Sequence, residues 1–365
     1  MRVAYGVMGY GRGHATRTAT ILPELMRRHD VLILAGGEAY ATLAPLYPVV
    51  RIPTLGYVYG RGGQRSLWRT LVQNLPAVLD LMWHGPSLAM VMSAIREFRA
   101  DVIISDAEAW TQRAGLRLGI PRITFDHFGI LTHCRPPLSR GDGPAYARDR
   151  WAYLALMGQP DRVIVSSFYD APPRRPGVRV VGPLLRDEVL RTRPAAGEHL
   201  LAYFNNGAHQ FTPWVEEALR GAGRPVRVYG TQRIGTAGPL EFRPPSTQPF
   251  IDDLARCGAV VSTAGNQLVG EAIHFGKPLL VMPEACVEQR CNANAVERLG
   301  IGMQVAHRRL SRPVIHTFLG QLDRFAAQLG RHARDGRAEA LGALETYFAE
   351  LGRGRATPGL VRKAV

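Results

Sequence analysis

Lysine is almost missing from this chain: of its 45 basic residues only Lys277 and Lys363 are lysines, and the rest are arginine. Cysteine is scarce too. The four present, Cys134, Cys257, Cys286 and Cys291, form no CxxC pair and have no histidine at zinc-ligand spacing. That excludes a disulfide scaffold and supplies neither a structural-metal nor a redox motif, so no metal is expected and reduced thiols in a cytoplasm fit best. Long apolar runs are absent as well. The richest stretch, residues 66–95, is broken by Gln73, Asn74, Asp80, His84 and two prolines, which rules out an uninterrupted span. The N-terminal MRVAYGVMGYG is too short in apolar length for a secretion signal and reads as a strand entering a glycine loop.

What is present is an ordinary globular composition, 46% hydrophobic and 21% charged over 365 residues, enough for two domains with a core each. The net charge of +15 suits anionic partners such as nucleotides, phospholipid headgroups or nucleic acid. An arginine bias also follows from genome composition, so the charge assigns no nucleic-acid role and none is expected.

Short aliphatic runs alternate with helical stretches: VAYGVMG, DVLILAGG, DVIISD, PRITFDH, DRVIVSS and VRVVGPL, then HLLAYFNNG, PVRVYGT, AVVSTAG and KPLLVMPE. This is the rhythm of βαβ units, and it restarts near residue 199. The expected fold is α/β, two Rossmann-like doubly wound domains facing each other across a cleft. Their expected bounds are 1–186 and 199–345, with a linker over 187–198 and a helix end and flexible tail over 346–365. Helical packing within the first domain is the preferred reading of residues 66–95. Its flanking Arg61, Arg65 and Arg69, with Trp68 and Trp83, make a surface resting on anionic lipid the alternative.

Two motifs carry chemistry. The first is GYGRGHATR, Gly9 to Arg17, between the first strand and a helix. Its glycines let a ligand approach the backbone, and the helix start offers unpaired N–H groups. His14 in that turn stands where doubly wound sheets bind ligands and suits a general base, with a helix-capping role equally open. The second is AVVSTAGNQLVGEAIHFGKPLLVMPEACVEQRCNANAVERLGIG, residues 259–302. A small-residue turn opening a helix makes a diphosphate site without a metal. Glu271, further along that helix, is placed to accept ribose hydroxyls, and Glu288 and Gln289 open the next helix towards the cleft. Asp126 and His127, at another strand end, are candidates for an acceptor pocket, and His127 is a rival base.

Together the GYGRGHATR loop and the S-T-A-G…E-A…G-K-P…P…E-Q…N-A series resemble the nucleotide-sugar glycosyltransferases of the GT-B fold. They are closest to the branch containing the enzyme that adds N-acetylglucosamine to the undecaprenyl-linked peptidoglycan precursor, and to its bacterial and archaeal relatives. The resemblance implies an inverting, metal-independent transfer with no bound cofactor, from a nucleotide-diphosphate sugar, a UDP-sugar in that branch, to a hydroxyl acceptor. The arginine-rich surface and the 61–95 region would then suit peripheral binding to an anionic membrane surface at its cytoplasmic face and a lipid-linked or glycolipid acceptor.

It implies that Gly11, Gly13 and His14 face the acceptor and the donor phosphates, with His14 as base and Asp106 orienting it. Taken locally, Asp106 favours a helix N-cap instead. Ser262, Ala264, Gly265 and Asn266 match the phosphate-side turn, Glu271 the ribose site, and Glu288 and Gln289 the donor-sugar contacts. Asn205, Asn206 and Gly207 occupy a loop facing the cleft, and Phe242 and Arg243 lie where the family holds the base. Two departures stand out: Thr263-Ala264-Gly265 replaces the His-Gly-Gly of many relatives, and Glu288-Gln289 replaces Gln-Gln. A sugar-nucleotide epimerase and a non-catalytic sugar-nucleotide-binding protein are the alternatives. The epimerase would need more cleft carboxylates than this N-terminal half offers.

Overall fold

The computed structural model describes residues 1–58 and 66–353; Arg61, Arg65 and the stretch from residue 354 lie outside the described residues. The first sheet comprises β1 (Arg2–Val7), β2 (Asp30–Ala35), β3 (Val49–Arg51), β4 (Val102–Asp106), β5 (Arg122–Asp126), β6 (Arg162–Ser166) and β7 (Val178–Val181). Its order is β3-β2-β1-β4-β5-β6-β7, and every pair is parallel. The second comprises β8 (Leu200–Tyr203), β9 (Val226–Tyr229), β10 (Gly235–Ala237), β11 (Leu240–Phe242), β12 (Ala259–Ser262), β13 (Leu279–Val281) and β14 (Gly302–Gln304). Its order is β10-β11-β9-β8-β12-β13-β14, parallel except where β10 meets β11. Helices cover both faces of each sheet, which is why strands such as VIISD and AVVS are buried at every position rather than alternating.

In each sheet the chain first builds outward to one side and then returns to the other. The reversal falls between β1 and β4 in the first sheet and between β8 and β12 in the second. Crevices at the carboxyl ends of such strand pairs are where doubly wound folds bind ligands. Register carries Val7 beside Asp106 and Tyr203 beside Ser262, so both expected motifs emerge at these two points.

Three sequence expectations meet a different outcome. The expected linker holds a short helix, Asp187–Arg191, whose Val189 is buried in a core shared by both halves. The helix Arg337–Arg353 leaves the second sheet and returns to the first, where Ala340, Leu344, Tyr347 and Phe348 pack with Val3, Tyr5 and Ile21. The boundary expected at residue 345 therefore falls inside a helix of the first half. A helix sequence displays its apolar face but not which sheet that face will cover.

Residues 66–95 also depart from the preferred expectation of interior packing. They form the helices Leu67–Met82 and Pro86–Phe98, joined through Asp80, which accepts from Ser87 N at 3.1 Å and Leu88 N at 3.2 Å. The second helix buries Leu88, Val91, Met92 and Ile95. The first leaves Leu71, Val72, Leu75 and Leu79 exposed, with Trp68 and Trp83 each 73% accessible. At 100° per residue these six side chains form one stripe. No single helix among the described residues is long and apolar enough to cross a membrane; the two helices reach that length only together, bent by 47°.

Candidate active site

Gly11, with φ +85°, turns the chain from β1 into the helix Arg12–Arg28, a backbone angle that glycine adopts without strain. No side chain caps that helix, and a Cβ placed at Gly11 or Gly13 would meet nothing within 4 Å, so the loop borders open space. One turn in, His14 Nδ1 lies 2.7 Å from Asp106 Oδ1 at the end of β4. That contact fits Nδ1–H donating to the carboxylate, which leaves Nε2 as the basic nitrogen, without a hydrogen-bond partner among the described residues. The imidazole is 26% accessible and Asp106 is fully buried.

Asp106 does not cap a helix. The cap of the following helix, Ala109–Leu118, is Glu108, which accepts from Trp110 N and Thr111 N at 2.7 Å each. Ala107, at φ +53°, takes the left-handed turn that separates the two carboxylates. The local expectation of an N-cap thus fails by two residues, and Asp106 instead contacts His14.

The cluster has a third member. Arg17, one turn beyond His14 on the same helix face, sends Nε to Asp106 Oδ2 at 3.0 Å and one terminal nitrogen to Oδ1, the latter also 3.0 Å from His14 Nδ1. Burial by itself would raise the Asp106 pKa; the Arg17 and His14 charges outweigh it and hold the carboxyl below the usual range. Burial likewise opposes the charge on Arg17, and Asp106 outweighs it in turn. The i,i+3 spacing of His14 and Arg17 is the signal that could have found it.

Asp126 and His127 do not line an open pocket. Asp126 is fully buried, accepting from Tyr153 Oη and Gly129 N at 2.6 Å each. Burial, with Asp106 nearby, pushes its pKa up to about 6. His127 Nδ1 lies 2.9 Å from the Ser166 carbonyl and Nε2 2.9 Å from Asn292 Oδ1 of the second half, with Glu288 Oε1 at 3.6 Å. Burial lowers its pKa against the pull of Glu288. With both nitrogens engaged, His127 is an interdomain strut and not a rival base in this conformation.

The second switch point is built differently. Ala264, at φ +65°, turns the chain from β12 into the helix Asn266–His274, which starts without a side-chain cap, and a Cβ at Gly265 would meet open space. Ser262 Oγ is buried with no hydrogen-bond partner among the described residues. Asn266 is turned away from the helix start: its amide donates to the Ser166 carbonyl at 3.2 Å and accepts from Phe168 N at 3.2 Å, tying the helix to the first domain.

Glu271 is also already engaged. Arg186 grips it through Nε at 2.8 Å and a terminal nitrogen at 2.7 Å, and Gln267 donates to it at 2.9 Å. Its carboxylate is buried, so in this conformation it faces the interdomain linker and not an open ribose site. Arg186 carried no signal in the sequence, because the pairing spans 85 residues.

Within the second domain, Gln210 Nε2 donates to Asn205 Oδ1 at 2.8 Å and to Glu284 Oε1 at 2.7 Å, while its Oε1 accepts from Asn206 N at 3.1 Å. Gln289 Oε1 accepts from Glu284 N at 2.8 Å. The Asn205-Asn206-Gly207 loop and the Glu288-Gln289 helix start are thereby joined through Gln210 and Glu284, a pairing across 74 residues that no local pattern signals. Phe242 is buried, lying edge-on to Phe211 with Arg233 stacked 3.9 Å from its ring centroid, so it offers no open face to a base. Arg243 pairs with Glu241 at 3.0 Å.

Two facing doubly wound domains, each with its reversal point opened by an uncapped helix, are the architecture of the GT-B fold class. The family model described as glycosyl transferase family 1 matches residues 1–323, and the chain belongs to that family. An uncharacterized glycosyltransferase of Methanosarcina acetivorans is 22% identical over 342 residues, covering 84% of this chain and 86% of that protein. The crystal structure of the kitacinnamycin glycotransferase superposes with a TM-score of 0.65 at 19% identity, over 92% of this chain and 95% of its own. MurG of Acinetobacter baumannii gives 0.59 at 14% identity, over 94% and 99%. The protein is a glycosyltransferase, an enzyme class that binds a nucleotide-sugar donor and an acceptor and transfers the sugar between them.

Proposed function

We propose that the enzyme inverts the anomeric centre of a nucleotide-diphosphate sugar, a UDP-sugar by the branch it resembles, without a metal. The acceptor oxygen bonds to the anomeric carbon as its proton passes to His14 Nε2. The bond from that carbon to the diphosphate breaks with its electron pair going to the leaving oxygen. Asp106 fixes the imidazole tautomer and stabilises the imidazolium. The uncapped helix after Gly265, with Ser262 Oγ, stabilises the departing diphosphate through N–H dipoles. The observation carrying the reaction type is the His14–Asp106 contact at the β1/β4 reversal, with Nε2 turned away from the carboxylate.

The acceptor we propose is lipid-linked, presented at an anionic membrane surface. The stripe of Trp68, Leu71, Val72, Leu75, Leu79 and Trp83 is tied to the catalytic loop: Asn74 exchanges hydrogen bonds with Gly56 at 3.1 and 2.8 Å, and Tyr57 packs edge-on to Tyr10 at 5.3 Å. Between residues 58 and 96 the only acidic residue is Asp80, against Arg61, Arg65, Arg69 and Arg96. Apolar side chains among arginines suit an anionic bilayer interface.

Thermal stabilisation by a panel of UDP-, GDP-, dTDP- and ADP-sugars without metal tests the donor site. A shift with UDP-sugars is expected, and no shift with any of them would overturn it. Flotation with anionic and with neutral liposomes tests the surface. Anionic vesicles should carry the protein and Trp68→Ser/Trp83→Ser should release it; no binding at low salt would remove the membrane from the proposal.

A further inference from the structure

We propose that Arg17 is a positioning residue that cancels the Asp106 charge felt by His14, so that the orienting carboxylate does not trap the base as imidazolium. The inference rests on His14 acting as the base. A carboxylate 2.7 Å from an imidazole does two opposed things. It fixes Nδ1–H and so leaves Nε2 basic, but it also favours the charged ring, which has no lone pair to accept the acceptor proton. Arg17 separates the two effects. Its fork occupies both Asp106 oxygens while one terminal nitrogen sits 3.0 Å from His14 Nδ1. The orientation survives, and a permanent positive charge beside the ring opposes the imidazolium.

The other titratable groups around this cluster do not substitute for it. Tyr5 on β1 and Tyr153, on the helix Gly143–Met157, are buried phenols whose pKa values are raised by burial. Asp126 at the end of β5 adds negative charge wherever it ionises. Among the buried polar residues around Asp106, Arg17 supplies the cation, at 4% accessibility, where solvent screening is weak.

The test is the NMR titration of the His14 ring, assigned with His14→Gln, in the wild type, Arg17→Gln and Arg17→Lys. In Arg17→Gln the midpoint should rise by about one pH unit, because an uncancelled carboxylate within ~4 Å favours the charged ring, and the acidic limb of kcat/KM should move up with it. Arg17→Lys keeps the charge and loses the fork: its midpoint should stay with the wild type while kcat falls and the donor KM holds. A folded Arg17→Gln with an unmoved midpoint overturns the proposal. If that variant does not fold, a folded Arg17→Lys with a midpoint raised by one unit overturns it equally. Sugar transfer is assayed separately, so a moved midpoint in a protein that transfers no sugar would reject the transferase mechanism and leave the charge cancellation standing.

Discussion

The two reversal points occupy equivalent places in their sheets, each with a glycine-bearing turn, an uncapped helix start and a neighbouring strand end, yet they are furnished in opposite ways. At the first, His14, Arg17 and Asp106 from two elements form one cluster whose imidazole is 26% accessible. At the second, the turn presents backbone above the buried Ser262 hydroxyl, while the nearby carboxylate of Glu271 is consumed by Arg186. A doubly wound domain thus offers the same opening twice, and side chains decide whether it suits proton transfer or anion binding. Asn266, expected at the phosphate-side turn, and His127, expected at the acceptor pocket, instead hold the domains together through Ser166 and Phe168 and through Asn292, as does Arg290 on Asp142 at 2.7 Å.

The comparison breaks most easily at His14. His14→Ala should lower transfer by about 10³-fold while leaving nucleotide-induced thermal stabilisation intact, since general-base catalysis is worth ~10²–10⁴. Loss of donor binding in that variant would mean that the two openings do not divide the work. The next largest effect concerns the second opening. Arg186→Ala leaves Glu271 buried without its cation and should cost about 3–5 kcal/mol in denaturant unfolding. Glu271→Ala, tested with UDP-sugar, separates the roles: a stability loss with undiminished nucleotide binding would make the pair purely structural, whereas loss of binding would show that the nucleotide displaces Arg186.

A smaller effect distinguishes the two buried aspartates of the first opening by pH. The Asp126 pKa is raised from the ordinary carboxylate value to about 6, so the folded state holds that proton more tightly than the unfolded chain. Its contribution is present at low pH and is lost as pH rises from about 4 to 6, on the order of 2–3 kcal/mol in all. Asp126→Asn can still accept from Gly129 N and donate to Tyr153 Oη, so unfolding free energies measured across that window should lose this fall. Asp106, whose pKa is lowered, contributes with the opposite sign, stabilising above the ordinary carboxylate value and failing as pH drops below it. The smallest effect is at the domain seam. Arg290→Ala removes a part-exposed pair with Asp142 and should cost no more than about 1 kcal/mol in the same measurement.

The sequence by itself determined the two-domain α/β plan, because aliphatic strand runs alternating with helical stretches admit few other packings, and it located both openings, because glycine turns between strand and helix are local features. It also brought His14 and Asp106 forward as partners through the family pattern, although local capping rules pointed Asp106 elsewhere. What it did not determine were the pairings that cross the chain: Arg186 with Glu271, His127 with Asn292, and the closing helix with the first sheet. Nor did it reveal that the helix Leu67–Met82 would turn five apolar side chains outward, with Trp83 just beyond it, since a helix with apolar residues on much of its circumference does not specify which face meets the core. Electrostatic partners and burial depend on distances between residues far apart in sequence, and tertiary packing alone sets those distances. Composition and periodicity act over one or two turns of chain, and that is the range over which they decided the structure.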